Sequence, residues 1–326
     1  MNTSCPGEGP GGSARGTSNL EPRVASAYQL WVEHFSHLSA LVRRRLEVAW
    51  RYRPQEEMGP LEPELLDYVN EFGRLLQVVF RYGLTEALQG EAAWYASLLA
   101  SRGPGKEAFA LLLDSWIVAI QGIIKPPECH TLAQPLENLR AGLDEIFALA
   151  HSHRFSLPEP EVTQLVEVLI EGDAARAMGL VSAWLAQGGS PYGLIPSRLL
   201  PAMGEIGRRW ELNELAVYQE HLATETLIRL LCGLPALAPP PPPLGRTALV
   251  TCVPGDEHQV VPLALGVYLE LRGWRVRSLG RSLPLAQIAA AAAAFAPNVV
   301  FLSLTMLSRL EEALAKIGRA SCRERV

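Results

Sequence analysis

The chain is 326 residues long, enough for two or three separately packed domains, with 48% hydrophobic and 19% charged residues. Its formal net charge of -5 argues against sequence-independent attraction to phosphate backbones, and no charge-free apolar run reaches the ~18 residues of a membrane span. Five cysteines, Cys5, Cys129, Cys232, Cys252 and Cys322, lack C-x-x-C spacing, so neither a disulfide framework nor a zinc site is indicated.

Residues 1–20 are rich in Gly, Ser, Pro and Thr and lack the apolar core of a secretory signal, so a disordered tail on a cytoplasmic protein is expected. From 21 to 150 apolar residues recur at helical spacing, as in Leu75, Val78, Val79, Leu84 and in Phe109, Leu112, Leu113, Trp116, Ile120. This predicts an all-helical domain of four or five helices, broken at Pro54, Pro60, Pro63, Gly103, Pro104, Pro126 and Pro127. Residues 158–235 read as a second helical unit, with helices over 161–171, 173–187, 192–210 and 215–232 joined at Gly172, at Gly188 and Gly189, and at a turn on Asn213. Links this short predict an antiparallel four-helix bundle.

Residues 236–245 hold the five consecutive prolines 239–243, an extended polyproline spacer and a domain boundary. After it strands and helices alternate: strand 248–253, helix 259–272, strand 276–279, helix 284–295, strand 298–304. Such βαβαβ order implies a parallel sheet with its ligand outside the carboxyl ends of the strands. The alanine run 289–294 is expected to press closely on that sheet. The last ten residues, 317–326, continue no periodicity and resemble a translated sequencing adapter, so the sheet unit, 246–316, is expected to be truncated. The fold class is therefore α plus α/β: an all-helical N-terminal domain, a four-helix cap and a truncated Rossmann-like parallel-sheet domain.

Two groups of residues carry candidate chemistry. The loop after the first strand reads Asp256, Glu257, His258, which puts an imidazole and two carboxylates at the mouth of the sheet. A metal-binding histidine commonly gives its second ring nitrogen to a carboxylate, and Asp256 or Glu257 is placed to receive it. In the cap, Trp210 is followed after nine residues by Glu220 and His221, with Asn213 turning the chain between them. An indole, a carboxylate and an imidazole then share one bundle edge, suited to a flat ligand with polar substituents. Other combinations, His34 with His37 and Cys129 with His130, lack a third ligand. Glycine-rich phosphate loops are absent, which disfavours a nucleotide-using enzyme.

From about Pro158 to Lys316 these residues resemble the cobalamin-binding modules of the methionine synthase type, which carry a D-x-H-x-x-G loop and a later S-x-L strand end. Asp256, His258 and Ser303 fall on those positions, while Val261 stands where the pattern has Gly and Thr305 where it has Leu. Trp210, Glu220 and His221 are similar to the W-x9-E-H motif of light-sensing cobalamin-dependent regulators. The resemblance implies adenosylcobalamin, or methylcobalamin, with His258 as the lower cobalt ligand and Trp210 beside the adenosyl group. It also implies that light cleaves the cobalt-carbon bond and that His221 takes the vacated position. A sensor rather than an enzyme follows, signalling through residues 21–150 to a protein partner, with a homo-oligomer among the expected assemblies and neither membrane nor direct nucleic-acid contact. The alternative is a corrinoid methyl carrier of a methyltransferase system, and a third reading is an interaction scaffold that no longer binds cofactor.

Overall fold

The structure is a computed structural model, and it describes residues 22–52, 63–102, 105–153, 158–311 and 313–314. The expected tail over 1–20 and the adapter-like 317–326 lie outside the described residues. Among the described residues six helices form the first unit: α1 (Pro22–Tyr52), α2 (Pro63–Tyr82), α3 (Thr85–Arg102), α4 (Gly105–Ile123), α5 (Glu128–Ala141) and α6 (Leu143–His153). The pattern predicted four or five. The difference arises at Gly142, whose backbone N–H closes α5 on the Asn138 carbonyl before α6 begins at the next residue. Helix α4 is the axis of this unit, packing against α1, α3 and α5. Its Phe109, Leu112, Leu113, Trp116 and Ile120 are all buried, with Trp31 of α1 lying 5.2 Å from the Trp116 ring. Among the described residues no helix is long and apolar enough to cross a membrane.

The second unit holds α7 (Pro160–Ile170), α8 (Ala174–Ala186), α9 (Leu200–Glu211) and α10 (Val217–Gly233). Chain reversal follows the local chemistry. Gly172 and Gly188 take positive φ, Asp173 caps α8 by accepting the Arg176 N–H, and Asn213 sits at φ 59, the left-handed geometry that asparagine tolerates. A side chain on Gly172 would also meet Leu222 of α10 at 2.8 Å. The single helix predicted over 192–210 is instead three pieces. A turn at Pro191–Leu194 runs through a π-helical stretch, Ile195–Leu199, into α9, and Leu200 donates to the Ile195 carbonyl. Pro196 and Pro201 supply no N–H for the regular ladder, so the chain closes it one residue wider.

The third unit is a parallel sheet of β1 (Thr247–Cys252), β2 (Arg275–Gly280) and β3 (Val299–Ser303) in the order β2-β1-β3, with α11 (Val260–Glu270) and α12 (Leu285–Phe295) as crossovers. Central β1 is buried along almost its whole length. Helix α11 joins two cores: its Val260, Ala264 and Val267 are buried among cap residues such as Leu227 and Leu231, while Leu269 faces the sheet with Ala248 and Val250. Helix α12 departs from expectation. Its alanines are exposed or half-buried and only Ile288 is buried, because little of the described sheet lies beneath the helix.

One buried charge cluster ties the cap. Glu205, 7% exposed, accepts hydrogen bonds from Arg208 Nε and Nη2 at 2.7 Å and from Arg209 Nε at 2.8 Å, and Arg209 reaches on to Glu167 of α7. Burial raises the pKa of this carboxyl, but the two guanidiniums outweigh it and hold the group below its ordinary value. A depressed folded-state pKa stabilises above the unfolded value and is lost as pH falls through the folded one. Glu205→Gln is expected to cost about 2 kcal/mol in urea denaturation at neutral pH, shrinking towards zero below about pH 4.

Candidate functional site

The order β2-β1-β3 places the topological switch between β1 and β3, and the loops leaving those two strands face each other there. Asp256, 2% exposed, joins them. One of its oxygens accepts the His258 backbone N–H at 3.0 Å and lies 2.7 Å from His258 Nδ1, while the other accepts the Thr305 backbone N–H. Burial pushes the Asp256 carboxyl up, and the Thr305 and His258 donors together bring it below its usual range. The carboxylate therefore orders three donors and fixes Nδ1 as the protonated ring nitrogen. Nε2 of His258 is left with no partner among the described residues, on a side chain that is 52% exposed.

The neighbouring Glu257 is engaged elsewhere, with Arg281 and Ser282, so Asp256 is the carboxylate that orients the imidazole. Burial pushes the Cys252 thiol, at the end of β1, up to about 11, which leaves no reactive thiolate beside this loop.

Above the loop lies a cavity of about 990 Å3, at the upper end of the range for small-molecule and cofactor sites, which is roughly 300–1,000 Å3. His258, Thr305 and Met306 line it from the sheet unit, and Met203, Gly204, Gly207, Arg208, Trp210, Glu211, Leu212 and Glu220 from the cap. Glu220 accepts the Thr224 hydroxyl at 2.8 Å, one turn further along α10. Three of the six residues singled out from sequence, Trp210, Glu220 and His258, thus meet at one cavity, with Asp256 behind His258. His221 does not line it. That side chain is exposed, on a face of α10 shared with exposed Val217, Tyr218 and Leu222. Ser303 is half-buried at the end of β3, pairs with Cys252, and gives its carbonyl to the Val253 N–H. Val261, where the motif has glycine, is 48% exposed in the first turn of α11.

The remaining lining was not foreseen: Gly90, Glu91, Trp94 and Ser97 come from α3 of the first unit. Among the described residues no three His, Cys, Asp or Glu side chains converge as a metal-binding group. The single free imidazole suits a metal whose other donors arrive with a macrocycle.

Residues 162–231, which run from α7 into α10, match the family model described as B12 binding domain. The chain is 40% identical over 114 residues to the HTH-type transcriptional repressor CarA of Myxococcus xanthus, covering 35% of this chain and 38% of that protein. It is 34% identical over 128 residues to the HTH-type transcriptional repressor CarH of the same organism, covering 37% and 41%. The chain thus spans about two-fifths of the length of the curated relatives it matches. Among solved structures it is similar to the monomethylamine corrinoid protein of Methanosarcina barkeri, with 16% identity and a TM-score of 0.40 over 49% of this chain and 78% of that one.

The two loop residues separate structural from chemical roles. Asp256→Ala strands two backbone donors and is expected to cost about 2–4 kcal/mol in urea denaturation, whereas His258→Ala, with a half-exposed ring, stays within about 0.5 kcal/mol.

Proposed function

We propose, on the premise of a B12 binding domain at residues 162–231, that the chain is a cobalamin-dependent regulator in which adenosylcobalamin is the light-responsive cofactor. The observation that carries this reading is the convergence of Trp210 and Glu220 from the cap with His258 from the sheet on one cavity. The relatives named as transcriptional repressors favour regulation over catalysis.

The bound group would supply a cobalt-carbon bond that light breaks; the chain supplies ligation, orientation and a response. His258 would hold the metal through Nε2, and Asp256, by holding Nδ1, keeps that nitrogen aimed outward. Trp210 would give the bound group an apolar cover, and Glu220 would meet its polar substituents. His221 stands one residue beyond Glu220 and outside the lining, so its use as a second axial ligand requires α10 to turn or slide. Ser303 and Val261 lie outside the lining and would bear on the cofactor only through its nucleotide tail.

A change in the bound group would be felt at Trp210, and through it the arrangement of cap, sheet and helical unit would be biased, carrying the signal to a protein partner in the cytoplasm. A protein is favoured over DNA because the chain's formal net charge is -5.

The test is to load the full chain with adenosylcobalamin in the dark, desalt it, and record visible spectra before and after green light. A retained corrinoid spectrum that changes irreversibly on illumination is expected, with His258→Ala weakening retention about tenfold or more. Retention of methylcobalamin without preference for the adenosyl form would move the assignment to a methyl carrier. No retention would leave an interaction scaffold. Val261→Gly is expected to tighten cobalamin about tenfold while leaving cobinamide, which lacks the nucleotide tail, unchanged in equilibrium binding.

A further inference from the structure

We propose that the N-terminal helical unit is itself part of the cofactor site, with Glu91 and Trp94 of α3 forming its third wall and contacting the edge of the bound corrinoid. The inference rests on the cobalamin reading above and extends it to a helix outside the B12 binding domain.

Three observations support it. Glu91, Trp94 and Ser97 recur at helical spacing, so one stripe of α3 faces the cavity that His258, Trp210 and Glu220 also line. Glu91 has no hydrogen-bond or salt-bridge partner among the described residues, although burial holds its carboxyl above the ordinary range. A half-buried carboxyl without a partner is costly unless a ligand supplies one. The corrin perimeter carries primary amides, which both donate and accept, so Glu91 is matched in either protonation state. Trp94, held edge-on to Tyr95 at 5.0 Å, presents an indole for the apolar part of the same edge.

The third observation is that the helical unit is anchored on both sides of the cavity. On the cap side, Ser101 at the end of α3 donates to the Glu211 carbonyl at 2.6 Å. On the sheet side, the segment that follows Thr305 docks on α2: Ser308 and Arg309 bond Glu71, each at 3.2 Å, and Glu311 accepts from Arg81 and Gln77. Helix α3 is thus held across the opening between cap and sheet. A ligand in the cavity touches the proposed output unit directly, and no relay through the cap is needed for that unit to register whether the cofactor is present.

The test uses the full chain and two readouts. Backbone hydrogen exchange is measured with and without hydroxocobalamin, and Kd for hydroxocobalamin is measured for Glu91→Gln, Glu91→Ala, Trp94→Phe, Trp94→Ala and, as a control on the exposed start of the same helix, Glu86→Ala. Slower exchange over α3 on binding is expected, with Kd raised about fivefold or more by Glu91→Ala, about tenfold or more by Trp94→Ala, less by the two conservative variants, and unchanged by Glu86→Ala. The exchange experiment needs no substitution, so a poorly folding Trp94→Ala does not decide the matter. Binding by the parent chain that depends on His258, combined with unchanged α3 exchange and unaltered affinity in Glu91→Gln and Trp94→Phe, overturns this proposal and leaves the cobalamin reading intact. No binding by the parent chain overturns both.

Discussion

The ligand edge of this molecule depends on one buried carboxylate. Asp256 sits in the crevice between β1 and β3 and satisfies the His258 backbone, the His258 ring and the Thr305 backbone at once. An ionised group at that depth is tolerated only because its acceptor sites are filled. Two consequences come from a single side chain: an imidazole with a fixed tautomer projects from the first loop, and the second loop starts in a set direction. That direction carries the chain through Met306 into the 3-10 turn Leu307–Arg309, where Leu307 packs on the core of the helical unit.

The three units are accordingly less separate than their different architectures suggest. Helix α11 places Val260, Ala264 and Val267 in the core of the cap while it spans the sheet, so cap and sheet share apolar burial. The helical unit is joined through Leu307, packed on its core, and through polar contacts, among them the cluster in which Glu311 meets Tyr28, Gln77 and Arg81. Burial, with Glu311 beside it, pushes the Tyr28 hydroxyl up to about 12, so the phenol keeps its proton in this cluster.

Local chemistry was legible in the sequence wherever one residue type decides the backbone. Asn213 was expected to turn the chain and takes φ 59; Gly172 and Gly188 end helices with positive φ; all three strands form within one or two residues of their expected limits. The pairing of His258 with a carboxylate followed from i to i+2 spacing in a loop, though only the fold could choose Asp256 over Glu257. What the sequence concealed was tertiary. Helix α3 carries its apolar residues on several sides, so no stripe marked the cavity face of Glu91 and Trp94. The alanines of α12 matched a packed helix, but exposure depends on how much sheet lies beneath. The motif spacing joined Glu220 to His221 as one feature, whereas neighbours on a helix point about 100° apart, and only Glu220 reaches the cavity.

The proline run 239–243 has a mechanical meaning beyond marking a boundary. Leu244 donates to the Gly273 carbonyl at 2.9 Å, and Gly273, at φ +86, approaches the Pro242 carbonyl so closely that any Cβ would collide with it. The run therefore lies against the turn between α11 and β2 instead of hanging free. Five residues of polyproline span roughly 15 Å with little bending freedom. Its ends are the 3-10 turn Leu234–Leu237 on the cap and Gly245, at φ +66, before β1. A rod clamped near one end and attached at both behaves as a strut. It sets the spacing of cap and sheet along its axis, alongside the apolar core that the two share through α11.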